Sequence, residues 1–149
     1  MLNKLLVGAV AAGAMSVPLA GVASAAPPSE AGNASVSVSV NGTPKVDIGD
    51  STATSTTGNT AIAVRGSAAT ARDGTGNKAI AVNHSVASAI IGNNNTATAI
   101  NNSFAFAGGV GDNNTATATC GGSATAQGSG LTVTDRGSPP CDDLRRPGQ

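Results

Sequence analysis

Few side chains in this sequence could do chemistry, and their spacing decides what each is for. His84 is the only histidine and is followed by Ser85, so a Ser-His-Asp relay can be drawn with Asp73 as its third member. Such a relay needs three groups held in matched geometry. Nothing in the spacing supplies that, and the reading favoured here is a solvated histidine in a turn. A structural zinc site takes four cysteine or histidine ligands, and Cys120, Cys141 and His84 are too few and too scattered. Calcium-binding solenoids of similar period place glycines and an aspartate in nearly every turn, whereas Asp73 and Asp112 stand alone. Glycine is plentiful, but no GxxxxGK followed by Ser or Thr occurs to cradle a phosphate. We therefore expect no enzyme, no cofactor and no metal.

Two patterns remain. The cysteines number 2, and in an exported chain Cys120 and Cys141 are expected to pair. Closing a loop of that size stabilises by about 3 kcal/mol on the entropic model. Threonine recurs in alternate positions at Thr96 and Thr98 and again at Thr115, Thr117 and Thr119, the kind of flat array that presents ordered water in some ice-binding solenoids. The same columns hold Ile62, Val64, Ile80 and Val82 in earlier units, which interrupts the array, and β-propensity on a solvated strand accounts for the threonines. Sequons such as Asn94 to Thr96 and Asn101 to Ser103 are explained by the need for asparagine in turns.

The elements that position these residues come from a repeat. GNTAIAVRGSAATARDGT from Gly58 is followed by GNKAIAVNHSVASAIIGN from Gly76, NNTATAINNSFAFAGGVG from Asn94 and, after one extra residue, Asp112, NNTATATCGGSATAQGSG from Asn113. The period is 18, and four positions in every unit are alanine: Ala61, Ala63, Ala69 and Ala71 with their equivalents. A short fixed period in which no unit can bury a core alone is the mark of a solenoid. The alanines alternate with other residues, which is a strand pattern. Gly, Asn, Ser and Asp between the alternating runs suit tight turns. The expected fold is an all-β solenoid of about five coils, each strand, turn, strand, turn.

Which face is inside follows from the columns. Corresponding positions between alanines hold Ala68, Val86, Phe104 and Ser123, then Thr70, Ser88, Phe106 and Thr125. Those sizes cannot stack evenly in a thin interior, so the alanines are expected inside. Ile62, Val64, Ile80, Val82 and Ile100 then form an outward apolar face. Alanine burial contributes little area per residue, so the backbone ladder, asparagine stacking at the turns and packing of the Ile/Val face on another subunit are expected to contribute. Homo-oligomerisation is one expectation of that shortfall.

Residues 1–25 have the parts of a secretory signal: Lys4, an apolar run from Leu5 to about Leu19, and the small-residue site Ala23, Ser24, Ala25. Gly8, Gly13, Ser16 and Pro18 interrupt the run and make it a poor membrane span. Cleavage after Ala25 would remove one of 8 basic residues against 8 acidic ones, leaving a net charge of −1. That balance excludes an electrostatic footprint for nucleic acid. Trp and Tyr are absent, and the only aromatics are Phe104 and Phe106. Residues 26–31 read as a flexible leader, 32–134 as the repeat domain and 135–149 as an irregular tail. Within the domain, GNASVSVSV from Gly32 reads as a first coil, with Ser35 and Ser37 in the first alanine places, Ser51 and Ala53 in the second, and a looped-out turn around Thr43 to Gly49. Leu131 to Thr134 could add a last strand.

The run of GNTAIAV, GNKAIAV and NNTATAI, each followed by SxAxA or a close variant, resembles the β-roll heads of trimeric autotransporter adhesins over Gly58 to Gly130. The whole chain, with its signal and its acidic, proline-rich, cysteine-bearing tail, is similar to small exported proteins of mycobacteria and related actinobacteria. The first resemblance implies a stacked β-fold, and the second a place in the envelope or outside the cell. The function expected is that of a secreted structural or surface-interaction protein; a small binding module for ice, metal or a wall polymer, or a self-assembling fibre subunit, is the alternative.

Overall fold

Residues 35–138 and Cys141 are described by a computed structural model. The expected signal peptide and leader lie outside the described residues, as does the tail after Cys141. Where the alanine pattern alternates, the backbone is extended, and the described residues form strands and turns without a helix. The strands are β1 (Val36–Val40), β2 (Thr43–Ile48), β3 (Thr52–Ser55), β4 (Thr60–Val64), β5 (Ala68–Arg72), β6 (Lys78–Val82), β7 (Val86–Ile90), β8 (Thr96–Ile100), β9 (Phe104–Gly108), β10 (Thr115–Thr119), β11 (Ser123–Ala126) and β12 (Thr132–Arg136).

From β4 onward each coil contributes its first strand to one sheet and its second to another. Sheet A runs β12-β10-β8-β6-β4-β1-β2 and sheet B runs β11-β9-β7-β5-β3. Successive coils pair in parallel and without a slip, so that Ala61, Ala79, Ala97 and Ala116 face one another in sequence, as do Ala69, Ala87, Ala105 and Ala124 in sheet B. The fold is therefore a β-solenoid of about five coils. All sixteen alanines are 0–1% exposed and together form the core.

Two buried polar columns flank the alanines and hold the turns. Asn59, Asn77, Asn95 and Asn114 are 0–1% exposed. The Asn77 amide donates to Asn59 Oδ1 at 2.8 Å, the Asn95 amide to Asn77 Oδ1 at 2.9 Å and the Asn114 amide to Asn95 Oδ1 at 3.0 Å. The side-chain amides also donate to turn carbonyls, such as Asn77 Nδ2 to Gly92 O at 2.9 Å. Ser67, Ser85 and Ser103 repeat the device at the other turn, each hydroxyl oxygen accepting from an amide of the next coil. No buried side-chain polar atom among the described residues lacks a partner, which a thin interior requires because an unpaired group there costs about 1–3 kcal/mol.

At the first coil the structure departs from the expectation. β1 pairs antiparallel with both β4 and β2. Ser37 and Ser39, not Ser35 and Ser37, lie opposite Ala63 and Ala61, and Ala53 and Ser55 lie beside Ala69 and Ala71. The residues from Thr43 are not looped out; they are strand β2. The cause is Asn41-Gly42, whose φ angles of 54° and 75° make the left-handed two-residue turn that joins antiparallel strands. β1 thus reverses the chain and wedges between β2 and β4. The interior layer here is hydroxyl rather than methyl: Ser35 and Ser51 Oγ atoms lie 2.7 Å apart and those of Ser39 and Ser55 2.8 Å. At the other end β12 pairs parallel with β10 and continues to Arg136, two residues past the expected boundary.

A candidate interaction face on sheet A

The outward positions of sheet A come into columns because the registers from β1 through β12 do not slip; the one shift, between Val38 and Ser39, lies in the β1–β2 pair. Ile62 lies beside Ile80, and Val64 beside Val82, which in turn lies beside Ile100. All five expected contact residues are thus neighbours on one face, and all are half-buried, alternating with the buried alanines. β1 and β2 extend the face. Val38 lies opposite Ile62 and Val46, Val36 opposite Val64 and Ile48, and Val40 opposite Thr60. Val46 is 39% and Ile48 50% exposed. The result is ten aliphatic side chains on one contiguous surface.

Sequence reasoning missed the contribution of Val36, Val38, Val40, Val46 and Ile48. The alternation in VSVSV was visible, but the antiparallel pairing that brings these residues to the face is fixed by the Asn41-Gly42 turn. Beyond Ile80 the face changes character. Thr98 follows Ile80 in one column and Thr119 follows Ile100 in another, so the C-terminal half of sheet A is faced by threonine.

Sheet B carries a smaller apolar patch. Phe104 lies beside Val86 and Phe106 beside Ser88, all pointing away from the alanines. A polar recess of about 260 Å³ opens beneath the overhang of β2, lined by Asp47, Asp50, Ser37 and Ser51 among others. No group of three His, Cys, Asp or Glu residues among the described residues is placed to hold a metal ion.

His84 sits in a turn with φ 54°, its amide donating to Arg65 O at 3.0 Å. Ser85 is buried, and its hydroxyl donates to Asn83 O at 3.2 Å. Asp73 follows the far end of β5 and lies 3.6 Å from Arg72, on the exposed surface. The three are not brought together. Cys120 and Cys141 form a disulfide with Cα atoms 4.7 Å apart. Cys120 occupies the turn between β10 and β11, so the bridge fastens the chain beyond β12 to the last coil.

Comparison of the chain with protein-family models, curated proteins and solved structures finds no match. What stands in place of a family is the class that the coordinates define: a β-solenoid with an alanine core, one mixed apolar and threonine face, and a disulfide at its C-terminal end.

Proposed function

We propose that this chain is an exported structural protein that acts through the aliphatic half of sheet A, packing it against a second copy of itself. One observation carries the reading: ten Val and Ile side chains share a face while the core is built only of alanine. A fold that keeps its largest aliphatic groups outside gains most of its remaining apolar burial by association. With strands about 4.8 Å apart and residues about 3.3 Å apart along them, the patch covers on the order of 400 Å². That is within the range of the largest patch on a typical monomer, which is often functional. Two such patches face to face bury about 800 Å², below the standard size for a stable complex. The association is therefore concentration-dependent rather than obligate. The signal-like residues 1–25 and the disulfide support an extracellular or envelope location, and a non-enzymatic role fits the scattered positions of His84, Ser85 and Asp73.

Size-exclusion chromatography with light scattering on oxidised residues 26–149 tests this. The parent is expected to form a discrete oligomer as concentration rises, and Ile62→Asp plus Ile80→Asp to remain a folded monomer. A parent that stays monomeric at every concentration, or a double variant that still associates, overturns the reading.

A further inference from the structure

Threonine occupies the other half of the same sheet in a regular lattice. β8, β10 and β12 are parallel neighbours without a slip, so Thr96, Thr115 and Thr132 form one row and Thr98, Thr117 and Thr134 a second. Thr119 begins a third beside Ile100 and Arg136. We propose that this lattice is an ice-binding surface, a site distinct from the aliphatic half and independent of its role in assembly.

Four observations support it. The first is spacing: rows repeat at about 4.8 Å across the strands and about 6.7 Å along them, close to the two repeats that a surface of crystalline ice presents. The second is stiffness. Threonine is branched at Cβ and restricted at χ1, and the strands beneath are locked by the alanine columns and, under β8 and β10, by the Asn95 to Asn114 bond at 3.0 Å. The third is availability: among the described residues none of the seven hydroxyls takes part in a side-chain hydrogen bond, while Thr56 and Thr75, elsewhere in the chain, do. The fourth is the lack of charge inside the lattice. Lys78 borders it beside Thr96 and Arg136 beside Thr119, but its interior is methyl and hydroxyl only.

Strand preference alone does not account for the pattern. The same two coils place Phe104, Phe106, Ser123 and Thr125 at the outward positions of sheet B. If threonine were there only to favour extended backbone, both sheets of these coils would show it equally. Threonine instead takes five of the six outward positions of sheet A in these coils and one, Thr125, of the four in sheet B, and it continues into β12, outside the repeat. Methyl groups spaced in this way hold water in an ordered layer, and the hydroxyls anchor that layer by hydrogen bonds. Such a surface binds the crystal and not the liquid, because only the crystal offers a matching lattice. Soluble sugars offer no such lattice, and this half-face has no aromatic ring on which one could stack.

The test is partition into slowly growing ice from a dilute solution of the oxidised chain and a reference protein, read with thermal hysteresis. The chain is expected to be enriched in the ice fraction while the reference is excluded. Thr98→Lys plus Thr117→Lys, at half-exposed positions in the middle of the lattice, is expected to lose the enrichment with its circular dichroism unchanged. Ile62→Asp plus Ile80→Asp is expected to keep it, which separates this surface from the assembly face. Thr117→Val, which retains the methyl and any fold contribution, is expected to weaken hysteresis without abolishing it. Exclusion of the parent from ice overturns the proposal, as does enrichment that survives the double lysine variant or is lost in the double aspartate one.

Discussion

Asn95 joins three levels of the stack. Its Oδ1 accepts from the Asn114 amide and from Asn114 Nδ2, both at 3.0 Å, and its own Nδ2 donates to Ile91 O at 3.2 Å. Asn95→Ala would leave a buried amide and a carbonyl without partners, and we expect a loss of about 2–3 kcal/mol, read as a fall in the urea midpoint. Size is distributed inversely to the usual rule, with methyl groups inside and aromatic rings outside. Ala99 lies between Ala81 and Ala118 at 0% exposure, so Ala99→Val should overpack the interior and cost about 1–3 kcal/mol. Phe104 is 42% exposed on sheet B, and Phe104→Ser should change the unfolding free energy, read from the same urea transition, by no more than about 0.5 kcal/mol. Glycine is fixed at one kind of place for a different reason. Gly74, Gly92 and Gly111 stack in the turns between coils at φ 142°, 102° and 135°, where a Cβ would strike the carbonyl of the next turn. The alanine and asparagine columns were legible because each recurs in every unit. The serine column was written as plainly, in Ser67, Ser85 and Ser103, but a lone hydroxyl between turn residues does not announce that its partner is the next coil.

At the scale of the element, the ends of the stack show how open strands are kept from pairing with other molecules. Sheet A overhangs sheet B by one strand at each end, β2 at one and β12 at the other. β2 carries Pro44 and Lys45, and its Asp47 lies opposite Ser37, on the interior side of the sheet. β12 carries Asp135 opposite Ala118, again on the interior side, and its carboxylate accepts from the Ser123 amide at 2.8 Å on the edge of β11. Inward-pointing charge and proline on an edge strand are established ways of blocking edge-to-edge growth. Pro44→Val plus Asp47→Val should therefore form thioflavin-positive fibres under conditions where the parent stays dispersed; dispersed variant protein would show that the charges have another role. The parallel strands β4 to β11 could be read from the repeat to within a residue or two. β1 could not, because GNASVSV imitates the start of a coil and the direction of a strand is not written in its alternation. Asn41-Gly42 was the available signal, and it settles the direction through two positive φ angles.

For the molecule as a whole, each coil touches only its neighbours, so stability is a sum of local terms and opening can start at an end. The disulfide acts at the C-terminal end alone. Cys141→Ser should lower the unfolding free energy by up to about 3 kcal/mol and speed hydrogen exchange in β10, β11 and β12 while β4 to β7 keep their protection. Uniform acceleration along the chain would mean that the stack melts as one unit. The division of sheet A into an aliphatic and a threonine end was legible in the columns of β4, β6, β8 and β10. What the sequence could not convey at this scale is how far each half extends, through β1, β2 and β12, whose pairing lies outside the repeat. The extra residue at Asp112 carries one more consequence. It lengthens the turn between the third and fourth units, yet β8 and β10, and β9 and β11, remain in register on either side, and Asp112 Oδ1 accepts from the Asn93 amide at 2.7 Å. The turn between coils is thus a seam at which residues can be added without disturbing the ladders. A whole unit spliced in at that seam would lengthen the rod by about 4.8 Å and widen its working face by one strand, making the protein a ruler whose graduation is a single coil.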